Sequence, residues 1–130
     1  MLKDTTVFAS FSVDNIEKAK EFYGSTLGLS FTGSMGGIRL HFAGGNEAFI
    51  YPKPDHAAAT FTILNFMVDD ADAEVDALIS KGITFEQYSE GYMKTDEKGI
   101  SRGDGENGPM AMAWFKDPAG NFLSIIQTKK

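Results

Sequence analysis

The chain carries one unit twice, and a repeat with a period near half the chain constrains the fold more than any other feature. Phe8-Ala-Ser-Phe-Ser-Val-Asp-Asn15 runs into a helical pattern and reaches Leu27-Gly28-Leu29-Ser30-Phe31. Ile63-Leu-Asn-Phe-Met-Val-Asp-Asp70 does the same and reaches Lys81-Gly82-Ile83-Thr84-Phe85. The repeat predicts two like modules, about 5–53 and about 60–128, within a single domain spanning all 130 residues. It also predicts where a ligand sits, because equivalent positions of the two modules should converge.

Within each module the order reads β-α-β-β-β. Val7 to Val13 is rich in β-branched, aromatic and hydroxyl residues and predicts a strand. Asp14 opens an Asp-x-x-Glu pattern, which predicts an N-cap with Glu17 reaching back. Ile16, Ala19, Phe22 and Tyr23 recur at helical spacing. A short strand over 29–32, a glycine-rich turn and a strand of two faces follow, with Ile38, Leu40 and Phe42 alternating with Arg39 and His41. Gly44-Gly45-Asn46 signals a hairpin into Phe49–Tyr51, which ends at Pro52 and Pro54.

The second module begins with a strand over 60–68. Asp69 or Asp70 caps a helix with Ala71, Val75, Leu78 and Ile79 on one face. Ile83–Glu86 is expected as a strand, and residues 88–110 as a polar loop far longer than the usual ~4–6 residues. That loop carries glycines and four apolar points, Tyr92, Met93, Ile100 and Met110. A lid and a plain surface loop are both compatible with it. Ala111–Lys116, an Asp117-Pro-Ala-Gly-Asn121 turn and Phe122–Gln127 complete the chain. The expected fold class is α+β: eight strands forming a curved sheet cup, with the helices outside.

Composition narrows the chemistry. The chain has no cysteine, which excludes disulfides, thiolate catalysis and zinc–thiolate sites. Twelve Lys and Arg against 18 Asp and Glu leave a net charge of −6, which argues against nucleic-acid or anionic-membrane partners. No apolar run nears the ~20 residues of a membrane span. The start, Met1-Leu-Lys-Asp4, lacks the layout of a secretory signal, so a cytoplasmic location is expected.

Three segments resemble the vicinal-oxygen-chelate superfamily, which includes glyoxalase I, extradiol dioxygenases and the fosfomycin and bleomycin resistance proteins. They are Asn15-Ile-Glu-Lys-Ala-Lys-Glu-Phe-Tyr23 with Leu27-Gly28, Val68-Asp-Asp-Ala-Asp72 with Gly82, and Trp114-Phe-Lys-Asp-Pro-Ala-Gly-Asn121. The resemblance implies paired βαβββ modules, a site on their concave faces and a homodimer. It also implies four metal-ligand positions, on the first and fourth strands of each module. These fall on Phe8, Phe49, Ile63 and Ser124. None offers a carboxylate or imidazole, so neither a metal nor a cofactor is expected.

Strand alternation then defines the expected ligand-binding face. Phe8 brings Ser10 and Ser12, Phe49 brings Tyr51 and Glu47, and Ile63 brings Asn65 and Met67. Arg39, His41, Trp114 and Ser124 join them. Apolar walls with a few orienting polar groups suit an apolar or aromatic small molecule. The leading expectation is a metal-free small-molecule-binding protein. The alternative is a lyase, isomerase or dioxygenase-like enzyme with an atypical or displaced site: either metal-free, with His41 (the candidate catalytic residue), Tyr51 or Glu47 in acid–base chemistry, or with a displaced metal site assembled from His41 and Glu47. A third is an interaction module with its cup filled by side chains. His56, in the proline-rich connection, is expected at the surface.

Overall fold

A computed structural model describes residues 1–90 and 94–129. The chain divides into two compact units, Met1–Ala58 and Ala59–Lys130. Each holds a four-stranded mixed sheet and one helix, the α+β arrangement of a βαβββ module.

In the first unit β1 (Ala9–Val13) leads to α1 (Ile16–Lys20), which continues as a π-helical turn over Glu21–Thr26. Then come β2 (Ser30–Ser34), β3 (Gly37–His41) and β4 (Glu47–Pro52). The sheet order is β1-β4-β3-β2, with β1 parallel to β4 and the other pairs antiparallel. The N-cap of α1 is Asn15 rather than Asp14; its Oδ1 accepts from the Lys18 N–H at 3.0 Å. That places the cap one residue later than the Asp-x-x-Glu pattern predicts, while the Asp/Asn preference for caps still holds. Gly28 closes the helical segment at φ 76°, a region open to glycine at little cost.

The alternation expected of β3 is present. Ile38 and Leu40 are fully buried, with Ile50 beside them on β4 and Ala19 and Tyr23 of the helical segment in the same core. Each such aliphatic side chain contributes about 2 kcal/mol on leaving water. Arg39 and His41 take the opposite face.

The second unit repeats the order β5-β8-β7-β6, built from β5 (Thr62–Met67), α2 (Ala71–Ser80), β6 (Ile100–Arg102), β7 (Ala111–Lys116) and β8 (Phe122–Gln127). Asp70 caps α2, its Oδ1 accepting from the Ala73 N–H. Ala71, Val75 and Leu78 face the sheet, but Ile79 is 42% exposed and lies off that stripe. The step from Leu78 to Ile79 turns about 100° around the helix, so the two cannot share one narrow face.

The expected strand over Ile83–Glu86 is a correction. Phe85 makes one isolated bridge to Phe115, and the Glu86 N–H donates to the Trp114 carbonyl at 2.8 Å. The chain then leaves β7 and returns as β6, which pairs with Ala111–Ala113 inside the segment expected to be loop. The edge of this sheet is thus one strand interrupted. Gly99 brings the two ends together: a Cβ there would fall 2.7 Å from Phe85 Cβ and 2.9 Å from the Glu86 carbonyl oxygen.

Charges tie the returning limb to α2. Arg102 grips Asp72 with two bonds, at 2.8 and 3.0 Å, and reaches Asp96 at 3.2 Å. Lys98 pairs with Asp76 at 2.9 Å and Asp72 at 3.2 Å. The Arg102 hydrogen bond holds the Asp72 carboxyl down at about 2. Asp117 and Asn121 are buried at the β7–β8 turn. There Asp117 Oδ1 accepts from the N–H groups of Ala119 and Asn121, which assigns Asp117 to supporting the turn.

Candidate functional site

Strand register decides which side chains share a face. In the parallel β1–β4 pair Ser10 lies opposite Phe49, and Ser12 opposite Tyr51. In β3–β4, Arg39 lies opposite Phe49 and His41 opposite Glu47. Paired residues point to the same side of a sheet. The first unit therefore gathers Ser10, Ser12, Arg39, His41, Glu47, Phe49 and Tyr51 on the face away from α1. Phe8, which directly precedes β1, is 52% exposed, and the Arg39 guanidinium lies 4.8 Å from its ring centroid.

The polar groups of this face are connected. Arg39 Nη1 donates to Glu47 Oε1 at 3.0 Å. His41 Nδ1 lies 2.9 Å from Glu47 Oε2, and His41 Nε2 lies 3.1 Å from Thr32 Oγ1. One carboxylate thus holds two basic side chains in place, and β2 fixes the imidazole from its other side. Beside this chain the Phe49 and Tyr51 rings stack at 5.9 Å with 20° between their planes. The result is an aromatic surface edged by fixed hydrogen-bonding groups.

His56 departs from expectation. It is part-buried, not a free surface side chain, and its Nδ1 lies 2.7 Å from Ser12 Oγ. The linker is drawn in because the Lys53 N–H donates to the Val13 carbonyl at 2.9 Å and the His56 N–H to the Lys53 carbonyl at 3.0 Å. Alternation from Phe8 puts Ser12 on this face, but sequence reasoning missed His56 beside it, since the two belong to no common pattern.

In the second unit Asn65, Ser124 and Trp114 form one lateral row across β5, β8 and β7. Ser124 is fully buried and donates to Asn65 Oδ1 at 2.5 Å. Trp114 is 6% exposed, with the Tyr88 ring edge-on at 5.8 Å. Burial raises the Tyr88 hydroxyl above its usual pKa, and the nearby Glu86 charge adds to that. Met67 is 74% exposed. Ile63 falls within a register irregularity between Thr62 and Leu64, so alternation from Asn65 does not settle its face. Of the segment expected as a loop or lid, Tyr92 and Met93 lie outside the described residues.

The four positions that the resemblance assigns to metal ligands do not fit a divalent ion. Phe8 and Phe49 present rings, Ile63 an aliphatic chain, and the Ser124 hydroxyl is committed to Asn65. A protein cation, Arg39, already lies over Phe8. A displaced site on His41 and Glu47 would have two donor side chains, one of them also paired with Arg39. Among the described residues no group of three or more His, Asp and Glu side chains is placed to hold a metal.

Comparison with known proteins bears on the family and the fold. The family model described as the glyoxalase/bleomycin resistance protein/dioxygenase superfamily matches residues 6–125. No curated protein matches the chain. Among solved structures, the chain is similar to a glyoxalase family protein from Enterococcus faecalis, with a TM-score of 0.68, 20% identity and coverage of 97% of this chain and 99% of that one. It is similar to an antibiotic-binding protein from Streptomyces sp. CB03234, with a TM-score of 0.63, 21% identity and coverage of 95% and 97%. A superfamily member from Sphaerobacter thermophilus gives a TM-score of 0.64 at 18% identity, covering 95% and 98%. Identities this low show a shared fold.

Proposed function

The chain belongs to the glyoxalase/bleomycin resistance protein/dioxygenase superfamily, and we propose that within it the chain is a small-molecule-binding protein that works without a metal. Its ligand is apolar or aromatic and lies against the face built on Phe49 and Tyr51. One observation carries this reading: the stacked Phe49–Tyr51 pair stands beside the fixed Arg39–Glu47–His41 chain. Aromatic surface supplies contact area, and a few held polar groups orient what binds there. The antibiotic-binding neighbour supports the same class of function.

His41 supports binding over acid–base catalysis. Both its ring nitrogens face protein partners, Glu47 and Thr32, so it is engaged as a scaffold. The reading includes a homodimer, supported by the exposed apolar side chains Val7, Phe61 and Met67.

The test is titration with 2-naphthol, followed by its own fluorescence. Saturable binding, weakened about fivefold in Phe49→Ala, is the expected result, since one lost aromatic contact is worth about 1 kcal/mol. No saturable binding by wild-type protein would overturn the reading.

A further inference from the structure

The helical segment of the first unit borders an open groove of about 530 Å³, within the size range of small-molecule sites. Glu17, Lys20, Glu21 and Gly24 reach it from the helix, at three- and four-residue spacings that put them on one side. Leu29 and Phe31 reach it from the chain that follows. Phe31 pairs with Leu40 across β2–β3, so it points to the helix side of the sheet, opposite to Thr32 and Arg39. Its ring lies against Gly24, where a Cβ would fall 2.7 Å from Phe31 Cε2. Glycine at this position gives the ring its seat. The helix is also widened here. The Leu27 N–H donates to the Phe22 carbonyl, five residues back, at 2.9 Å, a π turn of the kind that recurs at functional sites.

The charges of the groove do not balance. Lys20 Nζ bonds to Glu17 at 3.2 Å, whereas among the described residues no cation pairs with Glu21. One carboxylate is left beside an aromatic ring that is 37% exposed. We infer that this groove is a second binding site, on the sheet face opposite to Phe49 and Tyr51, for a small primary amine with an apolar body. The ammonium pairs with Glu21, and the apolar body lies on Phe31 and Leu29. The negative face of the Phe31 ring favours a cation as well. Lys20 does not reverse the sign of the site, because Glu17 already holds its ammonium. The two sites share no residue, so this inference does not depend on the function proposed above.

The test uses three probes of one shape and different charge: 2-phenylethylammonium, 2-phenylethanol and 3-phenylpropionate. Each is titrated into 15N-labelled protein at low salt, and the amide shifts report both affinity and place. The expected result is saturable shifts over residues 21–25 and at Phe31. The ammonium binds about fivefold more tightly than the alcohol, the scale of one exposed ion pair. The propionate binds most weakly, and rising salt narrows the gap. In Glu21→Gln the ammonium-to-alcohol ratio falls to about one. In Gly24→Ala, whose Cβ displaces the Phe31 ring, the ammonium and the alcohol both weaken. The dispersion of the same spectra establishes that each variant is folded. Equal affinity for ammonium and alcohol, a preference that survives in Glu21→Gln, shifts confined to the Phe49–Tyr51 face, or no saturable binding overturns the inference. Each of these results leaves the binding function proposed above standing.

Discussion

Glu47 Oε2 lies 2.9 Å from Nδ1 of His41, two residues facing each other across the β3–β4 pair. The other oxygen of the same carboxylate accepts from Arg39 at 3.0 Å. All three side chains are about one-third exposed, so solvent screens much of their attraction. Their importance is geometric: the carboxylate fixes where two basic groups stand on the proposed ligand face.

A double-mutant cycle should therefore show a small energy and a larger effect on binding. Glu47→Ala, Arg39→Ala and the pair, compared by urea unfolding, are expected to yield a coupling of about 0.5–1 kcal/mol. Titration with 2-naphthol in Glu47→Ala is expected to show weakened binding, because the Arg39 and His41 side chains lose their shared tether. A coupling near zero together with unchanged affinity would show that the carboxylate orders nothing.

The Asp72–Arg102 pair gives the acid response of the second unit. Asp72 is held at about 2 in the folded chain, chiefly by its hydrogen bonds to Arg102, against a reference value of 3.8. A lowered carboxylate contributes stability that is present above about pH 4 and is lost as pH falls through about 2. Both partners are substantially exposed, which reduces the contribution to about 1 kcal/mol. Arg102→Ala should be less stable than wild type by about that amount at pH 7, and the difference should close on approach to pH 2. Urea midpoints at pH 7, 4 and 2.5 measure it; a gap that stays constant would place the effect of Arg102 elsewhere.

The repeat unit, both helices and the last two strands were legible because they rest on local periodicity. Ala111–Lys116 and Phe122–Gln127 occupy the ranges their alternation and the Asp-Pro-x-Gly turn predict. The edge strand of the second unit was not legible. Ile83 and Phe85 have the apolar alternation of a strand and are buried, yet the chain leaves β7 after Glu86. Ile100–Arg102 has almost no pattern of its own, and its strand geometry comes from the β7 backbone beside it. The same division holds at the candidate site. Parity alone put Arg39 and His41 together, whereas the approach of His56 to Ser12 depends on the parallel pairing of β1 with β4 and is invisible in any local window.

Gly99 tests the closed neck of the interrupted edge. It combines φ 90° with the close approach of Phe85 and Glu86, so an alanine meets both a backbone and a packing penalty. Gly99→Ala is expected to cost about 2–4 kcal/mol. Gly28 provides the control: its φ is 76°, but nothing lies within 4 Å of a Cβ placed there. Gly28→Ala should cost only about 1 kcal/mol. Equal losses in thermal unfolding would show that the neck is not tightly packed.

The β2–β3 hairpin offers a gain in stability. Its two-residue turn, Met35-Gly36, has positive φ at both positions, 49° and 82°. That conformation matches the right-handed twist of the strands and favours Asn-Gly. Methionine bears the strain of a left-handed backbone for no packing return, since its side chain is almost fully exposed. Met35→Asn should raise stability by about 0.5–1 kcal/mol, read as a higher urea midpoint with an unchanged slope. The proposed ligand face should be unaffected, because the turn lies beyond Thr32 and Arg39 on the far end of their strands. A loss of stability in Met35→Asn would show that the turn does not hold this backbone shape in solution.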